Sequence, residues 1–223
     1  MVCDLVPGIS GAERMDAVRS WKDIDWDEPR PSIEELIGSW PQMGWDSVRV
    51  GSGLLDAYLS QVRETHVNGG YLLGRWRAVR YSDVAAWFAS RNRLEEYEMH
   101  RLLFDSPIVR RDLAPLEIPA KLDRVPGALK EVPGGALNLD GILATIIVQG
   151  GAYKSFQGLA AEAKSLADEA VADLTGRRYE DFRLDQTFEP WTPWFRDVAW
   201  DYTFVLTDYR NAEMTVLCIT DAD

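Results

Sequence analysis

The sequence predicts an α+β fold in which several amphipathic helices pack on an antiparallel sheet that includes a C-terminal β-hairpin. Two stretches carry apolar residues at helical spacing: Leu54, Leu55, Tyr58, Leu59 and Val62, and then Ala160, Ala163, Leu166, Ala167, Ala170 and Leu174. Near the C-terminus Trp200, Tyr202, Phe204 and Leu206 alternate with Asp201, Thr203, Val205 and Thr207, and a second β-rich run follows from Met214 to Thr220. Helices lead and strands gather at the end, which is the order of an α+β chain.

Residues 1–20 show no apolar period and contain Pro7, Gly8 and Gly11, so they read as a flexible leader, with Met15 as an alternative start. Residues 21–223 read as one domain. From Trp21 to Arg30 the chain is acidic and aromatic, and Pro29 and Pro31 break any helix there. Ser32-Ile33-Glu34-Glu35 is a capping box, opening a short helix to about Ser39. Pro41 and Gly44 end that helix, and a short strand is expected over Ser47 to Val50. The helix beginning at Leu54 stops at Asn68-Gly69-Gly70, and Tyr71 to Arg80 alternates as a strand. Ser82-Asp83 then caps a helix expected to run unbroken to about Phe104.

Pro107, Pro115, Pro119, Pro126 and Pro133 make the following thirty residues an extended loop, with a candidate sub-boundary near residue 135. Leu139 to Gln149 suits a buried helix or a strand; its length and the closing Gly150-Gly151 tip the reading to helix. Gly176 ends the Ala-rich helix that follows, and Asn211 lies between the two C-terminal strands, as a hairpin turn requires.

Composition narrows the functional classes. The 223 residues are 46% hydrophobic and 11% aromatic with nine Trp, which excludes a disordered chain. No apolar run approaches the roughly 20 residues of a spanning helix. Cys3 and Cys218 lie at opposite ends and the N-terminus lacks a basic region followed by an apolar core, so a cytoplasmic location without disulfides is expected. The net charge of −12 is concentrated at the two ends: residues 1–50 carry −5 and residues 179–223 carry −7. Such a surface repels nucleic acid and attracts basic partners or cations. The basic stretch Arg75-Trp76-Arg77 to Arg80-Tyr81 is expected to pair with those acidic ends rather than to contact nucleic acid.

No catalytic signature emerges, and no cofactor is expected. Gln149-Gly150-Gly151-Ala152-Tyr153-Lys154-Ser155 has the ingredients of a phosphate loop without its spacing, so a turn is the simpler reading. Asp221 and Asp223, ending the chain after a β-run, are weak candidates for a divalent metal. His66 closes a helix, and His100 follows Glu96 at a spacing that suggests a surface pair. The most informative group is Phe188, Trp191, Trp194, Phe195, Trp200 and Tyr202 among Glu189, Asp197, Asp201 and Asp208. Large rings beside fixed negative charge are what anchor and steer a basic protein partner.

The sequence therefore points to an acidic, non-enzymatic binding protein that covers a basic protein, as an inhibitor or immunity-type antitoxin does. Trp191, Trp194, Asp197, Asp201 and Asp208 are the expected contacts, and Asp23, Asp25, Trp26 and Asp27 form a second acidic edge. The alternative is an enzyme with an aromatic-walled pocket for a small cationic or metal-complexed substrate, using Asp197, Asp201, Asp221 or Asp223.

Overall fold

A computed structural model describes residues 20–51, 53–122 and 129–223. Cys3, the expected leader and the alternative start at Met15 lie outside these residues, except for Ser20 at the leader's end. The chain runs α1 (Ile33–Ser39), β1 (Gly44–Val48), α2 (Gly53–Thr65), β2 (Gly70–Arg80), α3 (Asp83–Ser90), α4 (Met99–Asp105), α5 (Pro107–Asp112), β3 (Lys130–Glu131), α6 (Leu139–Gln149), α7 (Ala160–Thr175), β4 (Phe182–Thr187), β5 (Tyr202–Asp208) and β6 (Glu213–Thr220). The class is α+β, and β5 and β6 form the expected C-terminal hairpin.

All six strands join one antiparallel sheet in the order β1-β2-β6-β5-β4-β3. Helices cover both faces. On one side α2, α6 and α7 bury Leu59, Leu143, Ile147, Ala167 and Leu174 against Leu184, Phe204, Leu206, Leu217 and Ile219 of the sheet. On the other, α1, α3, α4 and α5 pack Phe88, Met99, Phe104 and Val109 around Trp76, Val205, Val216 and Cys218. Because successive strand residues point to opposite faces, β6 is buried at every position, and its sequence reads as a continuous apolar run with threonines instead of an alternation. Burial pushes the Cys218 thiol up to about 12.

The Ser32 capping box forms as the spacing requires: Ser32 Oγ accepts from the Glu35 amide at 3.2 Å, and Glu35 accepts from the Ser32 amide at 2.8 Å. Residues 139–149 are helix, closed at Gly150, and Gly176 ends α7 at φ 59°. The strand expected at Ser47–Val50 lies slightly earlier, at Gly44–Val48.

Two expectations are corrected and one strand is added. The helix expected from Asp83 to Phe104 is two helices, broken by a turn in which Asn92 and Glu98 take left-handed backbone at φ 55° and 59°. The break places Leu94 and Tyr97 in the core and turns Asn92 and Glu95 toward the sheet. The Pro-rich stretch is not simply an extended loop. Pro107 sits in the first turn of α5, where its missing N–H costs nothing, and Val109, Leu113 and Leu116 are buried; residues 123–128, with Pro126, lie outside the described residues. Finally, β4 is a strand that periodicity did not reveal, and it carries the charges discussed next.

Candidate functional site

The C-terminal acidic region is largely interior. Of the ten carboxylates from residue 179 onward, Asp181, Asp185, Asp201, Asp208, Glu213 and Asp221 are all buried. Asp201 accepts from the amides of Arg196 at 3.4 Å and Val198 at 3.1 Å and from Thr220 Oγ1 at 2.5 Å, which fixes the irregular segment between β4 and β5. Asp208 accepts from Arg178 Nη2 at 2.6 Å and from the amides of Arg210 and Asn211 at 3.0 and 3.2 Å, so it caps the hairpin turn. Trp191 is half-buried, donating from Nε1 to Thr203 Oγ1 at 2.9 Å, with its ring 4.8 Å from Phe104 and 6.1 Å from Phe195. Trp194 lies edge-on to Phe195 at 5.1 Å. Of the five contacts expected from the sequence, Asp197 alone is exposed; Asp201 and Asp208 turn their oxygens inward.

Strand β4 carries the other part of this interior chemistry. Arg183 and Asp185, two residues apart, point to the same face, and Arg183 Nε donates to both Asp185 oxygens at 3.0 and 2.9 Å. Its other nitrogens reach Asn92 Oδ1 at 2.9 Å and the Glu95 carboxylate, and Glu131 lies 3.6 Å away. His100 is buried rather than on the surface, and its Nε2 stands 3.4 Å from Asp185 Oδ2. Burial alone would push the Asp185 carboxyl up; the neighbouring His100 and Arg183 outweigh it and hold the group below the usual range. Asp181 follows the same pattern: burial is outweighed by Lys22, by Arg178 at 2.9 Å and by Arg210 at 2.9 Å. Each buried carboxylate thus meets cations or amides that neutralise it. Sequence reasoning missed this set; the signal was present as charges on alternate residues of Phe182-Arg183-Leu184-Asp185.

The N-terminal edge is built oppositely. Trp21 is fully buried, in edge contact with Trp45 at 6.4 Å and Tyr81 at 5.8 Å, and Lys22 pairs with buried Asp181. These two side chains pin the segment. The carboxylates that follow face solvent: Asp23, Asp25, Asp27, Glu34 and Glu35 are exposed and Glu28 is half-buried. Among them Trp26 is 78% exposed, Ile33 71% and Ile37 50%. Leu36, Ser39 and Trp40 hold α1 to the body, Ser39 Oγ lying 2.8 Å from the Tyr97 hydroxyl and Trp40 Nε1 donating to the Tyr97 carbonyl at 3.1 Å. Ile33 and Ile37, one turn apart, therefore stand on the outer side. Arg91 stacks between Trp87, at 4.3 Å, and Trp26, at 6.0 Å, and lies 3.7 Å from Glu28. From Ser20 to Trp40 there are six carboxylates and two cations, and both cations are turned away, Lys22 to Asp181 and Arg30 to Glu96 at 2.6 Å.

The remaining sequence candidates serve the fold. The Gly150-Gly151 turn directs its amides to protein atoms, Gly151 N to the Thr65 and Lys154 carbonyls and Ala152 N to Asp221 Oδ2 at 2.8 Å. Asp221 also accepts from the Asn68 amide at 2.8 Å, while Asp223 is exposed. His66 is buried beside Asp221, and desolvation, partly opposed by that carboxylate, lowers its pKa. Arg75 and Arg77 both approach Glu213, so the basic strand does pair with the acidic C-terminal region. Among the described residues no group of three or more His, Cys, Asp and Glu is placed to hold a metal ion, and no helix is long and apolar enough to cross a membrane.

No protein-family model, curated protein or solved structure matches the chain. What the N-terminal edge can do follows from its chemistry. An exposed indole and two isoleucines offer desolvation area, and the carboxylates around them favour a cationic counterpart.

Proposed function

We propose that this is a binding protein that covers a basic protein partner, in the manner of an inhibitor or immunity-type antitoxin, and that it does so through the edge formed by residues 23–37. The observation that carries the reading is the exposure of Trp26, Ile33 and Ile37 in a segment of six carboxylates whose own two cations, Lys22 and Arg30, pair with carboxylates of other elements. Large exposed apolar residues rimmed by charge mark candidate interaction sites. The rival enzymatic reading draws less support. Its candidate carboxylates Asp201 and Asp221 hold backbone amides, so their oxygens serve the fold.

The test uses the tagged full chain, immobilised and exposed to lysate of the source organism, with elution over a salt gradient. A single basic protein is expected to be retained at low salt and released at moderate salt. Trp26→Ala with Asp27→Asn and Glu34→Gln should abolish retention, whereas Asp197→Asn should leave it intact. Retention indifferent to the edge substitutions, or absent in the unaltered protein, overturns the proposal.

A further inference from the structure

The same edge holds a small cleft of about 250 Å³, lined by Glu28, Pro29, Arg30, Pro31, Glu35, Asp83 and Val84. That volume falls below the roughly 300–1,000 Å³ typical of small-molecule sites and suits one inserted side chain. Its walls are of two kinds. Pro29, Pro31 and Val84 present carbon, and Glu28, Glu35 and Asp83 present carboxylates. Arg30, the one cation in the lining, carries its guanidinium to Glu96 at 2.6 Å. Glu28 is shared with Arg91 at 3.7 Å and Glu35 also accepts from the Ser32 amide, so both are held in place by the protein. Asp83, in the first turn of α3, is exposed.

A cleft lined by both carbon and carboxylates matches a long side chain with a methylene stem and a cationic head, which lays its carbon on the prolines and valine and keeps its charge against the carboxylates. We infer that the cleft is the receptor for one arginine or lysine side chain of the partner. This rests on the reading of the edge as a binding face and specifies what the partner must present there: a projecting cationic side chain.

The experiment is an amide NMR titration of the full chain with three short peptides, acetyl-Leu-Ala-Arg-Ala-Leu-amide, its lysine counterpart and its citrulline counterpart, the last being uncharged and nearly the same shape as arginine. The arginine and lysine peptides should produce saturable shifts centred on residues 30–37 and 83–84, and the citrulline peptide should produce none at equal concentration. Glu35→Gln with Asp83→Asn should weaken the arginine peptide roughly tenfold, the scale of lost hydrogen bonds to a charged group. The Gln side chain retains the oxygen that accepts from Ser32, so the helix cap survives. Equal shifts with citrulline, shifts spread as strongly over Glu180, Glu189 and Asp197, or no shifts at all would each overturn the cleft assignment. If that happens while retention of the basic protein still depends on Trp26, the binding face stands and its recognition of a single cation falls.

Discussion

The two acidic ends of this chain look alike in composition and differ in what the fold makes of them. Past residue 179 six of ten carboxylates are buried, each meeting guanidinium, ammonium or amide donors. From residue 20 to 50 none of the seven carboxylates is buried. Negative charge in the first region is structural skeleton, and in the second it is surface. A segment's net charge is thus not a map of potential. What decides is whether the local cations turn toward the carboxylates beside them, as Arg183 does toward Asp185, or away to other elements, as Lys22 and Arg30 do.

Substitutions should separate the two regions by the size of their effect on stability. The largest loss is expected at Asp185→Ala, which leaves the buried Arg183 guanidinium without its principal partner; breaking one side of a buried pair costs about 3–5 kcal/mol. Urea unfolding followed by tryptophan fluorescence measures it, and a loss below 1 kcal/mol would show that Glu95 and Asn92 suffice to hold the arginine. Asp221→Ala should cost about 2–3 kcal/mol, because two backbone amides lose a charged acceptor and the Asn68 and Ala152 turns are released together. Hydrogen exchange at those two amides should rise with it.

The pH dependence sharpens the same contrast. Asp181 and Asp185 have pKa values lowered by folding, so their contribution is complete above the unfolded value of about 3.9, declines as pH falls below it, and is gone once the lowered folded values are passed. Urea midpoints measured from pH 6 to pH 2 should fall across that window, and Asp181→Asn should flatten the fall. The smallest effect is expected on the exposed edge. Asp27→Asn with Glu34→Gln should change stability by no more than about 0.5 kcal/mol while removing the salt-sensitive retention of the partner. A large destabilisation there would mean that the edge, too, is skeleton.

Much of the fold was legible because its signals are local. The Ser32 cap, the stripes of α2 and α7, and the alternation of β5 all depend on neighbours within a few residues. What escaped depends on distant partners. The break between α3 and α4 follows from Asn92 and Glu95 reaching a strand some ninety residues away, and β4 has no apolar periodicity because the cations and carboxylates that make its charges buriable come from elsewhere. The site divides along the same line. The sequence marked both acidic aromatic regions and ranked the C-terminal one first, because more large rings stand there beside carboxylates; the bonds that turn Asp201 and Asp208 inward come from amides and an arginine that spacing does not show. The 23–27 edge was legible as a run of acids around Trp26, and Ile33 and Ile37 became part of it only once α1 was docked by Leu36 and Trp40.

Sandwiching the sheet between two helical layers leaves Cys218 fully enclosed at the centre of β6, with its thiolate suppressed at neutral pH. A thiol so placed can meet an alkylating reagent only when the layers part. In protein carrying Cys3→Ser, the labelling rate of Cys218 therefore becomes a stopwatch for the opening of the whole sandwich under native conditions, read by mass spectrometry without any denaturant.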